Sequence, residues 1–151
     1  MLLRAHPWIG FLCIGALCFV ATTVVSEVAT DTYYRGTQFW SALSESGRRL
    51  VAEPIASAYL SSPFLVLAAI CASLVKRGGL TRALILFVAG GFILVAFYFS
   101  AHQDVHRYME RRMWTAASLA VGLLPLNTVP VLLICLGLRW LFGRQSETAK
   151  A

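Results

Sequence analysis

The sequence predicts an all-α integral membrane protein with four transmembrane helices, and three observations carry that prediction. The 151 residues are 58% hydrophobic and only 13% charged, with mean hydropathy +0.71, whereas soluble domains average ~45–50% apolar and ~25% charged. The apolar residues are gathered into four long blocks, each matching the ~20 helical residues that cross a ~30 Å hydrocarbon core. Barrel strands would instead alternate over about ten residues. The four tryptophans, Trp8, Trp40, Trp114 and Trp140, fall at or just outside block ends, where amphipathic rings settle at the membrane–water interface. Trp114 and Trp140 are 26 residues apart, roughly 39 Å of helix.

The first block covers about 8–29 and is uncharged until Glu27. It is expected to remain as a span: Ser26-Glu27-Val28-Ala29 puts a glutamate where a signal-peptidase site needs a small residue. Residues 30–53 form an outer loop, within which Gln38 to Ala52 sets Phe39, Ala42, Leu43 and Leu50 opposite Ser44, Glu45, Arg48 and Arg49. That pattern predicts a short amphipathic helix lying on the membrane surface. The second block, 54–75, begins at Pro54, which suits a first helical turn, and contains Pro63, which bends or starts the span. A tight hairpin, Lys76-Arg77-Gly78-Gly79, leads to the third block, 80–101, whose helix is expected to continue beyond the bilayer through His102–Arg112. The fourth block, 113–142, carries Pro125, Asn127 and Pro130 near mid-membrane, and 143–151 read as a cytoplasmic tail.

Orientation follows from charge. With the N-terminus inside, the inner segments hold seven basic residues (Arg4, Lys76, Arg77, Arg82, Arg139, Arg144, Lys150) against six outside (Arg35, Arg48, Arg49, Arg107, Arg111, Arg112). The count barely discriminates, but six of the seven acids fall outside, so the inner face nets +6 and the outer face zero. N-in/C-in is the expected topology, and the basicity reads as contact with an anionic leaflet rather than with nucleic acid. A bacterial inner membrane fits this arrangement.

Several side-chain patterns invite chemistry. His102, His106 and Glu110 recur at i, i+4, i+8; two imidazoles one turn apart with a carboxylate beyond them could hold a divalent metal, although a solvated helix face has the same spacing. Thr23, Glu27 and Asp31 form a matching polar stripe at the end of the first span. An ionisable group one turn inside the interface, as Glu27 is, needs a partner or water, and Arg35, Arg107 and Arg111 are the candidate partners. Glu27 and Asp31, with Asn127 between Pro125 and Pro130, are the residues from which an ion or substrate path could be built, since broken helices make transporter sites. The same prolines can be simple kinks satisfied by neighbouring helices. Small residues at Ala68/Ala72, Gly90-Gly91 and Ser118/Gly122 mark expected helix contacts. The four cysteines lie in apolar blocks, where they act as small packing residues.

No Ser/His/Asp set, intramembrane aspartate pair, metalloprotease helix or phosphate-binding loop is present, so catalysis is not expected, and no cofactor is implied beyond the possible metal. Two classes of function follow. The first is a single four-helix domain acting through contact with another membrane protein or with copies of itself, as an accessory subunit or an immunity protein against a membrane-active toxin. The second is a small oligomeric transporter or channel using the broken fourth helix, for a cation or metal.

Overall fold

A computed structural model describes residues 2–148 and is helical almost throughout, with no strand among the described residues. Lys150, counted above with the inner charges, lies outside them. The elements are α1 (Leu2–Ala5), α2 (Pro7–Arg35), α3 (Phe39–Ala52), α4 (Pro54–Gly78), α5 (Leu80–Glu110), α6 (Trp114–Gly122), α7 (Leu124–Asn127) and α8 (Val129–Thr148). Three of them, α2, α4 and α5, are long and apolar enough to cross a membrane.

Local chemistry sets the boundaries. Pro7 and Pro54 sit in the first turns of α2 and α4, where the missing N–H costs nothing and φ is already helical. Gly36 ends α2 at φ +62° and donates its N–H to the Asp31 carbonyl, a left-handed cap that glycine adopts without a steric penalty. Gly79, at φ +86°, opens the hairpin between α4 and α5. The α5–α6 turn uses the same device with an unusual residue. Arg112 stands at φ +58°, the Met113 N–H reaches the Tyr108 carbonyl at 2.8 Å, and the Arg112 N–H reaches Met109 at 3.0 Å. That is a Schellman closure with arginine in the place glycine normally fills. With 31 residues, α5 is about 46 Å long at 1.5 Å per residue. It outruns a hydrocarbon core by several turns, as the polar run from His102 onward implied.

The fourth block differs from the single continuous span expected. It is divided into α6, α7 and α8, and the apolar part of α8, Val129–Gly143, is shorter than a crossing helix. The cause is the proline pair, whose rings exclude the carbonyls four residues back. The breaks are shallow: Leu123 and Thr128 keep near-helical backbone angles (φ/ψ −90/−4° and −86/−10°). The N–H groups of Leu123, Asn127 and Leu132 still reach carbonyls four residues back, at 2.9, 2.9 and 3.2 Å. Hydroxyl groups meet carbonyls around the breaks. Tyr59 of α4 donates to the Gly122 carbonyl at 2.8 Å, and Thr128 donates to Pro125 at 2.7 Å. Pro63 lies buried inside α4 rather than starting it. There too, Ser62 donates to the freed Tyr59 carbonyl at 2.7 Å, and Tyr98 of α5 donates to Leu60. At Pro63 the freed carbonyl is thus satisfied from within the helix.

α4 occupies the centre, packed on α2, α5 and α8. Its buried face includes Phe64, Leu67, Ala68, Cys71, Ala72 and Leu74. Two glycines set the spacing. A Cβ on Gly15 would stand 2.9 Å from the Phe64 carbonyl oxygen of α4, and one on Gly90 would stand 2.9 Å from Leu67 and 3.0 Å from the Cys135 sulfur. Of the small residues picked from sequence, Ala68 and Gly90 lie at these seams and Ala72 is buried in the core. Ser118 is exposed, and Gly91 and Gly122 face open space. Trp8, Trp40, Trp114 and Trp140 are all exposed. α3 folds where the amphipathic pattern predicted, but its buried side runs through Ala42 and Ser46, whereas Phe39 turns outward.

Candidate functional site

At the α3 end of the bundle the helices part around a cavity of about 280 Å³. α2 contributes one stripe to its wall: Phe19, Thr23, Glu27, Asp31 and Arg35, each four residues after the last. Sixteen residues of helix span roughly 24 Å, so the stripe descends from a charged rim to an aromatic inner end. α5 supplies His102, Val105, His106 and Met109; α3 supplies Arg49 and Leu50; and Glu53, Ser57 and Leu60 line the side of α4. The Ser57 hydroxyl donates to the Leu50 carbonyl at 3.0 Å, which pins α3 against the start of α4.

The histidines and the acidic stripe therefore share one site, and α2 and α5 are neighbours at this end. His102 donates its Nδ1–H to the Tyr98 carbonyl at 2.9 Å, which leaves Nε2 free to face the cavity. His106 Nε2 stands 4.0 Å from Asp31 Oδ1, and its ring stacks on Tyr34 with centroids 5.5 Å apart. His106 lies beyond the expected crossing at 80–101. Burial pushes its imidazole below the usual range; Arg35 and His102 act the same way, while Asp31 and Glu110 oppose them. Glu110 is exposed and does not line the cavity. The carboxylate that faces His106 across the cavity wall is thus Asp31 of another helix. Among the described residues no group of three or more His, Cys, Asp and Glu is placed to hold a metal ion.

Two of the three arginines expected to neutralise Glu27 are engaged elsewhere: Arg35 binds Asp31 at 3.3 Å, and Arg107 binds Asp104 at 3.5 Å. Arg49 reaches Glu45 at 3.2 Å. Glu45 is also gripped by Arg48 through two 3.0 Å hydrogen bonds, and these guanidinium contacts hold its carboxyl below the usual carboxylate range. Glu27 Oε2 is buried without a hydrogen-bond partner, and so is Thr23 Oγ1. The contrast within α2 is informative. Thr22 donates to the Cys18 carbonyl at 2.6 Å and Thr30 donates to Ser26, the usual retreat of a threonine hydroxyl inside a helix. Thr23, between them in sequence, makes no such bond.

No family model, curated protein or solved structure matches the chain.

At its inner end the cavity meets Phe19, whose ring lies 6.1 Å from Phe64 and 6.3 Å from Tyr98, with Phe64 and Tyr98 5.1 Å apart. All three are buried. Asn127 is exposed on the surface of the bundle and Pro130 with it, while Pro125 is buried; none of the three lines this cavity. Sequence reasoning found Thr23, Glu27, Asp31, His102 and His106. It missed Phe19, Arg49, Glu53 and Ser57. Continuing the fourfold register of α2 in both directions would have added Phe19 and Arg35.

Proposed function

We propose that this is a four-crossing protein of a bacterial inner membrane, both termini cytoplasmic, that works by binding at its outer face. It would serve there as an accessory component of a membrane assembly. The supporting observation is the form of the cavity: charged groups from three elements at the mouth, and a buried aromatic triad, Phe19–Phe64–Tyr98, at the inner end. A conduit needs polar groups that continue through the hydrocarbon depth, whereas a receptor site needs only an accessible recess. The near-helical breaks between α6, α7 and α8 support counting the fourth block as a crossing despite its division.

Purification in mild detergent is expected to yield a stoichiometric complex with a partner membrane protein or a defined homo-oligomer. Protein reconstituted in liposomes is expected to leave ion flux at the background rate. A monodisperse, partnerless monomer overturns the proposal, as does flux that depends on the protein. The proline breaks favour one second reading, an oligomeric transporter; an Asn127→Ala variant that altered protein-dependent flux would establish it.

A further inference from the structure

We propose that the cavity is a binding site for an alkylammonium group, with Glu27 and Thr23 as its recognition residues. The inference rests on the outer-face reading above and adds to it the class of ligand.

Four observations point the same way. First, the volume of about 280 Å³ falls just under the ~300–1,000 Å³ of drug-sized sites, which suits a small amine or a headgroup. Second, the charge at the wall is unbalanced toward acid: Glu27, Asp31 and Glu53 against Arg35 and Arg49. Both arginines already hold carboxylates, Asp31 and Glu45, whereas Glu27 and Glu53 form no ion pair among the described residues. Third, the polar atoms of the deeper wall are unmet. Thr23, 5% exposed, keeps its hydroxyl out of the helix, and Glu27 Oε2 is buried with no partner. A buried acceptor left bare carries the full penalty of losing its water, larger when charged, so a donor bearing positive charge is what this depth lacks. Fourth, the groups below it are apolar: Phe19, Leu60 and Val121. An ammonium at the level of Glu27 can thus extend a short hydrocarbon toward Phe19, whose ring face also favours a cation.

The same chemistry has three sources: a free amine, the ethanolamine of a lipid headgroup, or a lysine side chain of a partner protein. Detergent-solubilised protein titrated with n-butylammonium chloride by calorimetry is expected to show saturable binding. Glu27→Gln should weaken that binding at least tenfold and Thr23→Val severalfold. Glu110→Gln, exposed on α5 and outside the cavity wall, should leave it unchanged. Equal volumes of sodium chloride and n-butanol serve as controls for charge and for apolarity alone. Melting curves without ligand keep the variants interpretable: Glu27→Gln should melt no lower than wild type, because it removes an unpaired buried carboxylate.

Nanodiscs of phosphatidylethanolamine that compete with butylammonium, where phosphatidylglycerol discs do not, would assign the natural occupant to lipid. Undiminished binding in both, with competition by an acetyl-lysine amide carrying a free ε-amine, would assign it to a side chain. Binding that the Glu27 variant retains, or that butanol matches, overturns the proposal. That result leaves the outer-face reading standing if the stoichiometric complex still forms and flux stays at background, so the two can fail separately.

Discussion

The two ends of the bundle are built on opposite terms. Away from α3, the helices touch through Phe11, Leu67, Cys71, Leu74 and Ala83, all without solvent exposure, and at Gly15 and Gly90 the neighbouring helix leaves no room for a methyl group. Toward α3, the same helices diverge around a recess in which Thr23 Oγ1 and Glu27 Oε2 lack partners. One end is close-packed; the other opens around a recess whose wall leaves polar atoms bare. The difference teaches that stability and recognition are separated along the helix axes, with the Phe19–Phe64–Tyr98 triad as the border.

The sharpest way to break the comparison is at that border. Phe64→Ala removes a ring that is 1% exposed and is expected to lower unfolding free energy by about 3 kcal/mol or more, read as a large fall in Tm in detergent. Gly15→Ala comes next. Its new methyl meets a backbone carbonyl at 2.9 Å, an obstacle that no rotamer change relieves, so a loss of about 1–3 kcal/mol is expected. Tyr98→Phe strips the donor from the Leu60 carbonyl while keeping the ring, for a loss of about 1 kcal/mol. On the cavity wall the sign reverses: Thr23→Val replaces an unpartnered buried hydroxyl with a methyl and should raise stability by up to about 1 kcal/mol. Were Thr23→Val as damaging as Gly15→Ala, the division between the two ends would not hold.

The smallest effect is a pH response confined to the α3 end. Burial lowers the His106 affinity for a proton, so the folded state binds fewer protons than the unfolded chain below the ordinary histidine value of ~6.5. Stability should be full above that value and decline as pH falls below it. His106→Gln should flatten this segment of the profile. Glu45, held low by Arg48 and Arg49, acts at more acidic pH: its contribution is present above the ordinary glutamate value of ~4.3 and is lost as pH falls through its lowered folded value. The His106 variant should leave that second decline in place.

Much of this was legible in the sequence because hydrophobic blocks and prolines act locally. The helical content, the overlong α5, the Pro54 start, the α3 amphipath and the kinks at Pro125 and Pro130 all follow from residues within one or two turns. The stripe of Thr23, Glu27 and Asp31 and that of His102 and His106 were readable for the same reason, since fourfold spacing fixes a face. What spacing could not supply was the identity of the neighbours. Arg49 and Glu53 reach the cavity only because Ser57 pins α3 to α4, a contact between turns that no periodicity announces. Gly15 has no small partner in its own helix; its role comes from the Phe64 carbonyl and Ala68 of α4. Asn127 looked central by position. The packing of the bundle nevertheless leaves it on the surface.

Tyr59 has a consequence for motion. Its carbonyl is the one Pro63 leaves free, taken by Ser62, and its hydroxyl crosses to Gly122 at the break between α6 and α7. A single residue thus fastens the hinge of α4 to the hinge of the neighbouring helix, like a pin through two leaves. Flexing one must strain or drag the other, so the two bends behave as one degree of freedom. Severing the pin with Tyr59→Phe should leave two independent hinges, visible as faster amide exchange at Leu126 and Asn127 with little change in melting temperature.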